Sequence, residues 1–201
     1  MVSKNKRKKG FSLNMYLCLK KTDLMKKNLL VLCFAFALLF SCNVVDDLTK
    51  FDLDYQTNYS IPPSTLINSP FNLFTPDVTT ESESSFENND TRKDLIESIK
   101  LKTIKLTIDS PESGNFNFLK EVHVYIDADD IEEVEIANIY DLENTNSNTL
   151  NLEVNDQELK EYIKKDRFNL RIQTITDETI SETYDIIIDT KFRVDAEILG
   201  V

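Results

Sequence analysis

The fifteen residues from 184 to 198, Tyr184-Asp185-Ile186-Ile187-Ile188-Asp189-Thr190-Lys191-Phe192-Arg193-Val194-Asp195-Ala196-Glu197-Ile198, alternate in character with a period of two. Tyr184, Ile186, Ile188, Thr190, Phe192, Val194, Ala196 and Ile198 share one side, and six of the seven residues between them are charged. Successive side chains of a strand point to opposite faces, so the pattern specifies a strand with one buried and one wet face. Its length exceeds the usual five or six residues, which points to a bend, a bulge or a share in both sheets of a sandwich. Phe168, Leu170 and Ile172 make the preceding strand, with a turn near Asp177-Glu178. The two are expected to form an antiparallel hairpin.

Shorter alternations lie upstream: Phe51, Leu53, Tyr55, Tyr59 and Ile61; Ile104, Leu106 and Ile108; Val122, Val124 and Ile126; Val134 and Ile136; Leu150, Leu152 and Val154. An extended piece over 78–86 brings the total to about eight strands. Polar turns separate several of them, including Ser110-Pro111-Glu112-Ser113-Gly114-Asn115 and Asn144-Thr145-Asn146-Ser147-Asn148. Parallel pairing would need a crossover helix between most strands, and the sequence does not supply them.

Two short helices are expected. In the first, Asn155 caps, Glu158 returns the contact from the third position, and Leu159, Tyr162 and Ile163 line one face ahead of Lys164-Lys165. The second covers 91–98, with Leu95, Ile96 and Ile99 inward. Between Leu101 and Ile104 the apolar phase slips by one residue, which predicts a helix end or a bulge. The biased stretch 79–89 reads as a flexible loop or an edge strand. These elements fit an all-β fold, an antiparallel β-sandwich of immunoglobulin-like character with about eight strands and one or two short helices; a closed barrel is the alternative. Tryptophan is absent and no cysteine pair exists downstream, so antibody-domain landmarks are missing. There is no internal repeat.

The N-terminus carries a different pattern. Lys26-Lys27 follows Met25, an apolar run occupies 29–40, and Ser41 precedes Cys42. This is the charged, apolar and cleavage-site layout of an export signal. Twelve residues make a helix of about 18 Å, against roughly 30 Å of bilayer hydrocarbon, too short for a comfortable span. Leu39-Phe40-Ser41-Cys42 resembles the lipobox of bacterial lipoproteins, with Leu three residues before the cysteine and a small residue directly before it. The resemblance covers residues 25–42 and departs at Phe40, which is bulkier than usual. It implies a diacylglyceryl thioether on Cys42, cleavage before that residue and a further acyl chain on the new amine.

The domain plan is therefore 1–24 as an upstream extension, with translation expected to start at Met25; 25–41 as a lipoprotein signal peptide; 42–50 as a lipidated tether; and 51–201 as the β-sandwich domain. Two or three acyl chains make attachment effectively permanent, whereas one is marginal. The other cysteines, Cys18 and Cys33, precede the cleavage point, so Cys42 has no disulfide partner in the mature chain. Removing residues 1–41 takes away nine Lys/Arg and one Asp, leaving 14 cationic and 34 acidic residues and a net charge of −20. Such a domain is repelled by anionic lipid faces, and the lipid is its means of holding a membrane.

Chemistry is sparse. His123 is the only histidine, on the strand face opposite Val122 and Val124, and its ordinary role is a hydrogen-bonded surface side chain. No serine sits in a Gly-x-Ser-x-Gly elbow, and the mature chain keeps only Gly114 and Gly200, so phosphate-cradling glycine loops are absent. The carboxylates are too many to single out a catalytic pair, and the chain is not expected to be an enzyme. From Glu121 through Leu159 there are 12 acids and no Lys or Arg, which excludes nucleic acid as a partner. Asp127, Asp129 and Asp130 offer oxygen ligands to Ca²⁺ but lack the EF-hand rhythm, and the ordinary reading is a solvated acidic turn. No other cofactor is indicated.

The expected function is a lipid-anchored binding or assembly module of the cell envelope, using sandwich loops or a sheet edge. The alternatives are a passive structural lipoprotein and a hydrolase with an unrecognised carboxylate site. A basic envelope protein is a candidate partner for the acidic face. Asn43, where some sorting systems place an inner-membrane Asp, leans the location towards the outer membrane.

Overall fold

The protein is described by a computed structural model covering residues 49–143 and 146–197. The expected upstream extension, signal peptide and Cys42, with most of the expected tether, lie outside these residues. The strands are β1 (Lys50–Ile61), β2 (Phe71–Phe74), β3 (Val78–Thr79), β4 (Ile96–Ser110), β5 (Leu119–Ala128), β6 (Ile131–Ile139), β7 (Thr149–Asn151), β8 (Glu153–Val154), β9 (Arg167–Thr176) and β10 (Tyr184–Ala196). Two short helices, α1 (Ser82–Glu87) and α2 (Lys160–Ile163), join them.

One sheet has the order β1-β10-β4-β7, and the other runs β2-β9-β5-β6-β8 with β3 beside β9. Every pairing is antiparallel. The expected antiparallel sandwich is thus the architecture, with its core between the sheets. Setting aside the two-residue strands β3 and β8, the first sheet joins the first, eighth, third and sixth strands in chain order. The second joins the second, seventh, fourth and fifth. That is jelly-roll connectivity, a double Greek key; alternation identifies strands but does not encode which neighbour each one takes.

β10 buries Ile186, Ile188, Thr190, Phe192, Val194 and Ala196 and turns its charged positions outward, as the alternation requires. It does not pair with β9. β10 bonds to β1 and β4, whereas β9 bonds to β2, β3 and β5. The connection through 177–183 crosses between sheets, so the expected hairpin is replaced by a face-to-face contact. Phe168 of β9 meets Phe192 of β10 with ring centroids 6.0 Å apart, and Tyr55 of β1 lies 5.5 Å and 5.8 Å from those two rings. Two strands with one apolar side each can satisfy it across a core as well as beside one another.

The helix expected over 91–98 is only a 3₁₀ turn, Lys93–Leu95, after which β4 begins. Ile96, Ile99, Leu101 and Ile104 are all buried, and two of their spacings are three residues. In a strand that spacing requires an extra residue, and the β4/β10 register shifts opposite Asp195/Ala196 and Lys191/Phe192 supply it. These are β-bulges, one of them at the predicted phase slip. A bulge turns a period of two into a local three and so imitates a helix.

The extended piece over 78–86 stops at Thr79, and the stretch 79–89 is neither a flexible loop nor an edge strand but mainly α1. Buried Phe86 anchors that helix against Phe51, with ring centroids 6.4 Å apart. The strand foreseen over Leu150, Leu152 and Val154 is divided, β7 in one sheet and β8 in the other.

The capping box at Asn155 is also absent. Asn155 donates its backbone N–H to Ile136 O and its amide to Glu135 O, extending the β6 side of the sheet. α2 starts later, at Lys160. Glu158 instead accepts from Ile99 N–H at 2.9 Å, Ser98 Oγ at 2.7 Å and Lys160 N–H at 2.9 Å, clamping the helix entry to β4. Partial burial opposes its ionisation, but these three donors and the Lys160 charge outweigh that, holding the carboxyl below its ordinary value near 4.5. A carboxyl with a depressed folded-state pKa stabilises the fold fully above the unfolded value and loses that contribution as pH falls through the folded one. Glu158→Ala is expected to cost about 1 kcal/mol at neutral pH, since the carboxylate is exposed and water partly replaces it. The difference from wild type should shrink below pH 4 in urea titrations.

Candidate functional site: the distal loop end

The antiparallel registers sort the connections into two ends. Lys50 pairs with Asp195, Ile96 with Ala196 and Ala128 with Ile131, so the chain enters β1 at the end that also holds α1, α2 and the β5–β6 turn. At the opposite end Ile61 pairs with Tyr184, Asp185 with Ser110, Thr107 with Thr149 and Phe71 with Thr174. Here four of the connections that cross between sheets converge: 62–70, 111–118, 177–183 and the described residues of 140–148. β1 separates the two ends by about 40 Å at ~3.4 Å per residue.

The distal loops hold one another. Ser64 and Ile180 exchange backbone bonds of 2.9 Å and 2.8 Å, and Thr176 Oγ1 donates to Leu66 O at 2.7 Å. Asn117 Nδ2 donates to Asn146 Oδ1 at 2.7 Å while its own Oδ1 accepts Asn146 N–H at 3.0 Å. Phe116 N–H reaches Ser147 O, and Asp177 N–H reaches Phe118 O. Side chains carried on loops tied this way are positioned rather than drifting.

Between the 111–118 and 177–183 loops lies a cleft of about 270 Å³, lined by Asn115, Asn117, Phe118, Glu178, Thr179, Ile180, Ser181 and Tyr184. Its back wall is aromatic, with Phe118 and Tyr184 ring centroids 4.6 Å apart. Burial raises the Tyr184 phenol above its ordinary pKa, and the Glu182 and Glu178 carboxylates raise it further. Three exposed apolar side chains, Leu66 (51%), Ile67 (42%) and Tyr140 (57%), stand at the same end.

Gly114 sets the wall position. Its N–H donates to Pro111 O at 2.8 Å, and a Cβ there would stand 2.9 Å from both Ile108 Cγ2 and that oxygen and 3.0 Å from Tyr184 Cε1. Gly114→Ala is expected to displace Tyr184 and destabilise the fold by about 1–3 kcal/mol. The check is a lower melting temperature together with a shifted Tyr184 ring resonance in NMR.

The residues singled out from sequence lie elsewhere. His123 is on the outer face of β5, its Nδ1 2.7 Å from Glu135 Oε1, its Nε2 3.8 Å from Glu121 Oε2 and its ring edge-on to Tyr140. Beside it Arg171 lies over the Tyr125 ring at 3.9 Å and bonds to both Glu133 oxygens. Asp130 takes a left-handed φ of 62° in the two-residue β5–β6 turn, a conformation Asp tolerates, and Asp129 faces Arg167 at 3.4 Å. Those roles account for the acidic turn, and among the described residues no group of three or more His, Cys, Asp or Glu is placed to hold a metal ion. The cleft residues were missed: Asn115 and Glu178 appear in sequence only as turn formers, and nothing in spacing shows that two remote turns meet.

Charge is unevenly shared. Lys50, Lys102, Lys105, Lys191 and Arg193 lie on the outer face of the first sheet, each ion-paired with Asp52, Asp54, Asp189 or Asp195. The side formed by β5, β6 and β8 is left predominantly acidic.

No protein-family model and no curated protein matches the chain. Solved structures with some likeness include a chain of Desmodium yellow mottle tymovirus, 13% identical, covering 76% of this chain and 91% of its own, with a TM-score of 0.27. CBM32-3 of a family 31 glycoside hydrolase from Clostridium perfringens is 9% identical over 70% of this chain and 75% of its own, with a TM-score of 0.30. A further CBM32 module from Clostridium perfringens, solved with GalNAc-β-1,3-galactose, is 9% identical over 66% and 94%, also with a TM-score of 0.30.

Proposed function

We propose that this chain is a lipid-anchored binding module of the bacterial cell envelope, held through Cys42 and presenting the distal loop end to a ligand. The observation that carries it is the separation of the two ends. The chain enters at Lys50, eight residues after Cys42, so the tether reaches at most about 29 Å. The cleft and the exposed Leu66, Ile67 and Tyr140 gather at the other end of β1. A membrane-held domain needs its contact surface away from the attachment point, and exposed apolar side chains beside a cleft mark such surfaces. The outer membrane is the proposed location.

Binding without catalysis is favoured by the company His123 keeps. Its nitrogens face two carboxylates, and among the described residues no hydroxyl nucleophile is bonded to it. A second reading, docking of a basic envelope protein on the β5, β6 and β8 side, is favoured by the charge asymmetry; such a complex dissociates as ionic strength rises.

The test is mass spectrometry of the N-terminal peptide from membrane-extracted protein. The expected peptide starts at Cys42 and carries diacylglyceryl and acyl mass. An unmodified Cys42, or a mature chain that retains residues 29–40, overturns the proposal.

A further inference from the structure

We infer that β1 is a docking edge for a second copy of this chain, the first sheets of the two copies joining through antiparallel β1 strands into one continuous sheet. Among the described strands the other sheet edges are blunted by shortness: β2, β3, β7 and β8 hold two to four residues each. Short edge strands are a common way for β-proteins to avoid pairing with one another. β1 is the exception. Its 12 residues run against β10 without a register shift and contain no proline, and the strand stops at Ile61, directly before Pro62.

Ala196 N–H donates to Thr49 O, next to the Lys50–Asp195 pair. Hydrogen-bonded pairs alternate along an antiparallel ladder, so the odd-numbered residues of β1 bond to β10. Lys50, Asp52, Asp54, Gln56, Asn58 and Ser60 then turn their N–H and C=O outward, and no hydrogen bond of the described residues takes these groups. Water hydrates such groups in a lone copy; the pattern along the edge is what selects a strand of this chain.

Across a two-fold axis, opposed side chains share a face and outward backbone groups meet, so even-numbered residues oppose even-numbered ones. With the axis at Tyr55, Lys50 faces the partner's Ser60, Asp52 faces the partner's Asn58 and Asp54 faces the partner's Gln56, and every outward residue is bonded. The two Asp54 carboxylates meet only diagonally, each held by its own Lys191 at 2.8 Å, and Lys102 and Arg193 neutralise Asp52. Moving the axis to Asp54 sets those carboxylates directly opposite. Moving it to Gln56 sets Lys50 against Pro62, which has no N–H. The strand is self-complementary in one register, bounded by repulsion on one side and a missing donor on the other. The half-buried Phe51 and Tyr55 gain a neighbour on the core face.

The inference is independent of the distal-end reading and uses the anchor only to concentrate the protein. The two Lys50 residues lie about 34 Å apart along the paired strands. Each tether reaches at most about 29 Å, so both copies can hold one bilayer while paired, and confinement there raises their effective concentration.

Sedimentation equilibrium of the full chain in density-matched detergent reads the protein mass, and a dimer is expected. Asn58 is exposed and makes no hydrogen bond through its side chain, so its variants keep the fold. Asn58→Asp opposes the partner's Asp52 on both sides of the axis and should weaken the dimer at least tenfold, whereas Asn58→Lys should pair at least as tightly as the wild type. In membranes from cells carrying two tagged copies, Lys50→Cys with Ser60→Cys should give a mixed disulfide above the background of the parent chain, and Lys50→Cys alone should not. A monomer at millimolar concentration overturns the inference. So does a dimer that Asn58→Asp leaves unchanged, or Lys50→Cys linking to itself in place of the mixed pair. An unmodified Cys42 would remove the anchor and leave the dimer measured in detergent standing.

Discussion

Phe192→Ala is expected to lower the free energy of unfolding by about 3–5 kcal/mol. The ring is fully buried on β10 and makes edge contacts with Phe168 of the opposite sheet and Tyr55 of the neighbouring strand. Removing it costs the transfer energy of the ring and leaves a cavity at the point where the two sheets meet. Rigid neighbours on three strands cannot collapse into that space. Domains of this size are stable by only about 5–15 kcal/mol, so a large part of the total is lost. Urea unfolding should show an earlier midpoint with an unchanged slope, and melting should fall by roughly 10 °C. An exposed phenylalanine supplies the contrast: Phe74, 66% exposed on β2, should change stability by less than about 0.5 kcal/mol when replaced by Ala.

Cys42→Ala is expected to have the largest effect on location and almost none on folding. The thiol is the attachment point implied by the lipobox resemblance, and two or three acyl chains separate permanent from marginal membrane association. The described fold begins at Thr49, and among the described residues the buried core starts at Leu53. The variant should therefore melt like the wild type when purified, yet leave the membrane pellet or stay unprocessed with its signal. Fractionation with an antibody to the domain distinguishes these outcomes from an anchored protein. Membrane retention of Cys42→Ala as a chain that has lost residues 25–41 would overturn lipidation at this residue.

What could be read from sequence follows from the range of each interaction. Alternation over 184–197 fixed β10 because burial acts on one strand at a time, and the same holds for β1, β5 and β9. The partner of each strand was not legible. Phe168 and Phe192 are equally apolar whether they face across a core or stand side by side, and only the whole set of connections selects the jelly roll. The helix expected over 91–98 failed for a related reason, and the other forms but starts later than its capping pattern suggested. Ile96, Ile99, Leu101 and Ile104 carry a helical spacing that belongs to bulges opposite β10. Glu158 has the sequence position of a capping residue, and its carboxylate is instead taken by Ile99 and Ser98, some sixty residues upstream. The cleft is built from Asn115 and Glu178, and no local rule brings those loops together.

β1 and β10 are neighbours along their whole length, from Lys50 beside Asp195 to Ile61 beside Tyr184. The first strand of the domain therefore waits for the last. Among the described strands β1 pairs with β10 alone, so until β10 is available β1 has no strand partner, β4 lacks its main neighbour, and the first sheet cannot close. Contacts this remote in sequence carry a high loop-closure cost and slow assembly. Under the export proposed for this chain, such a delay would keep it threadable until β10 arrives to lock the first sheet.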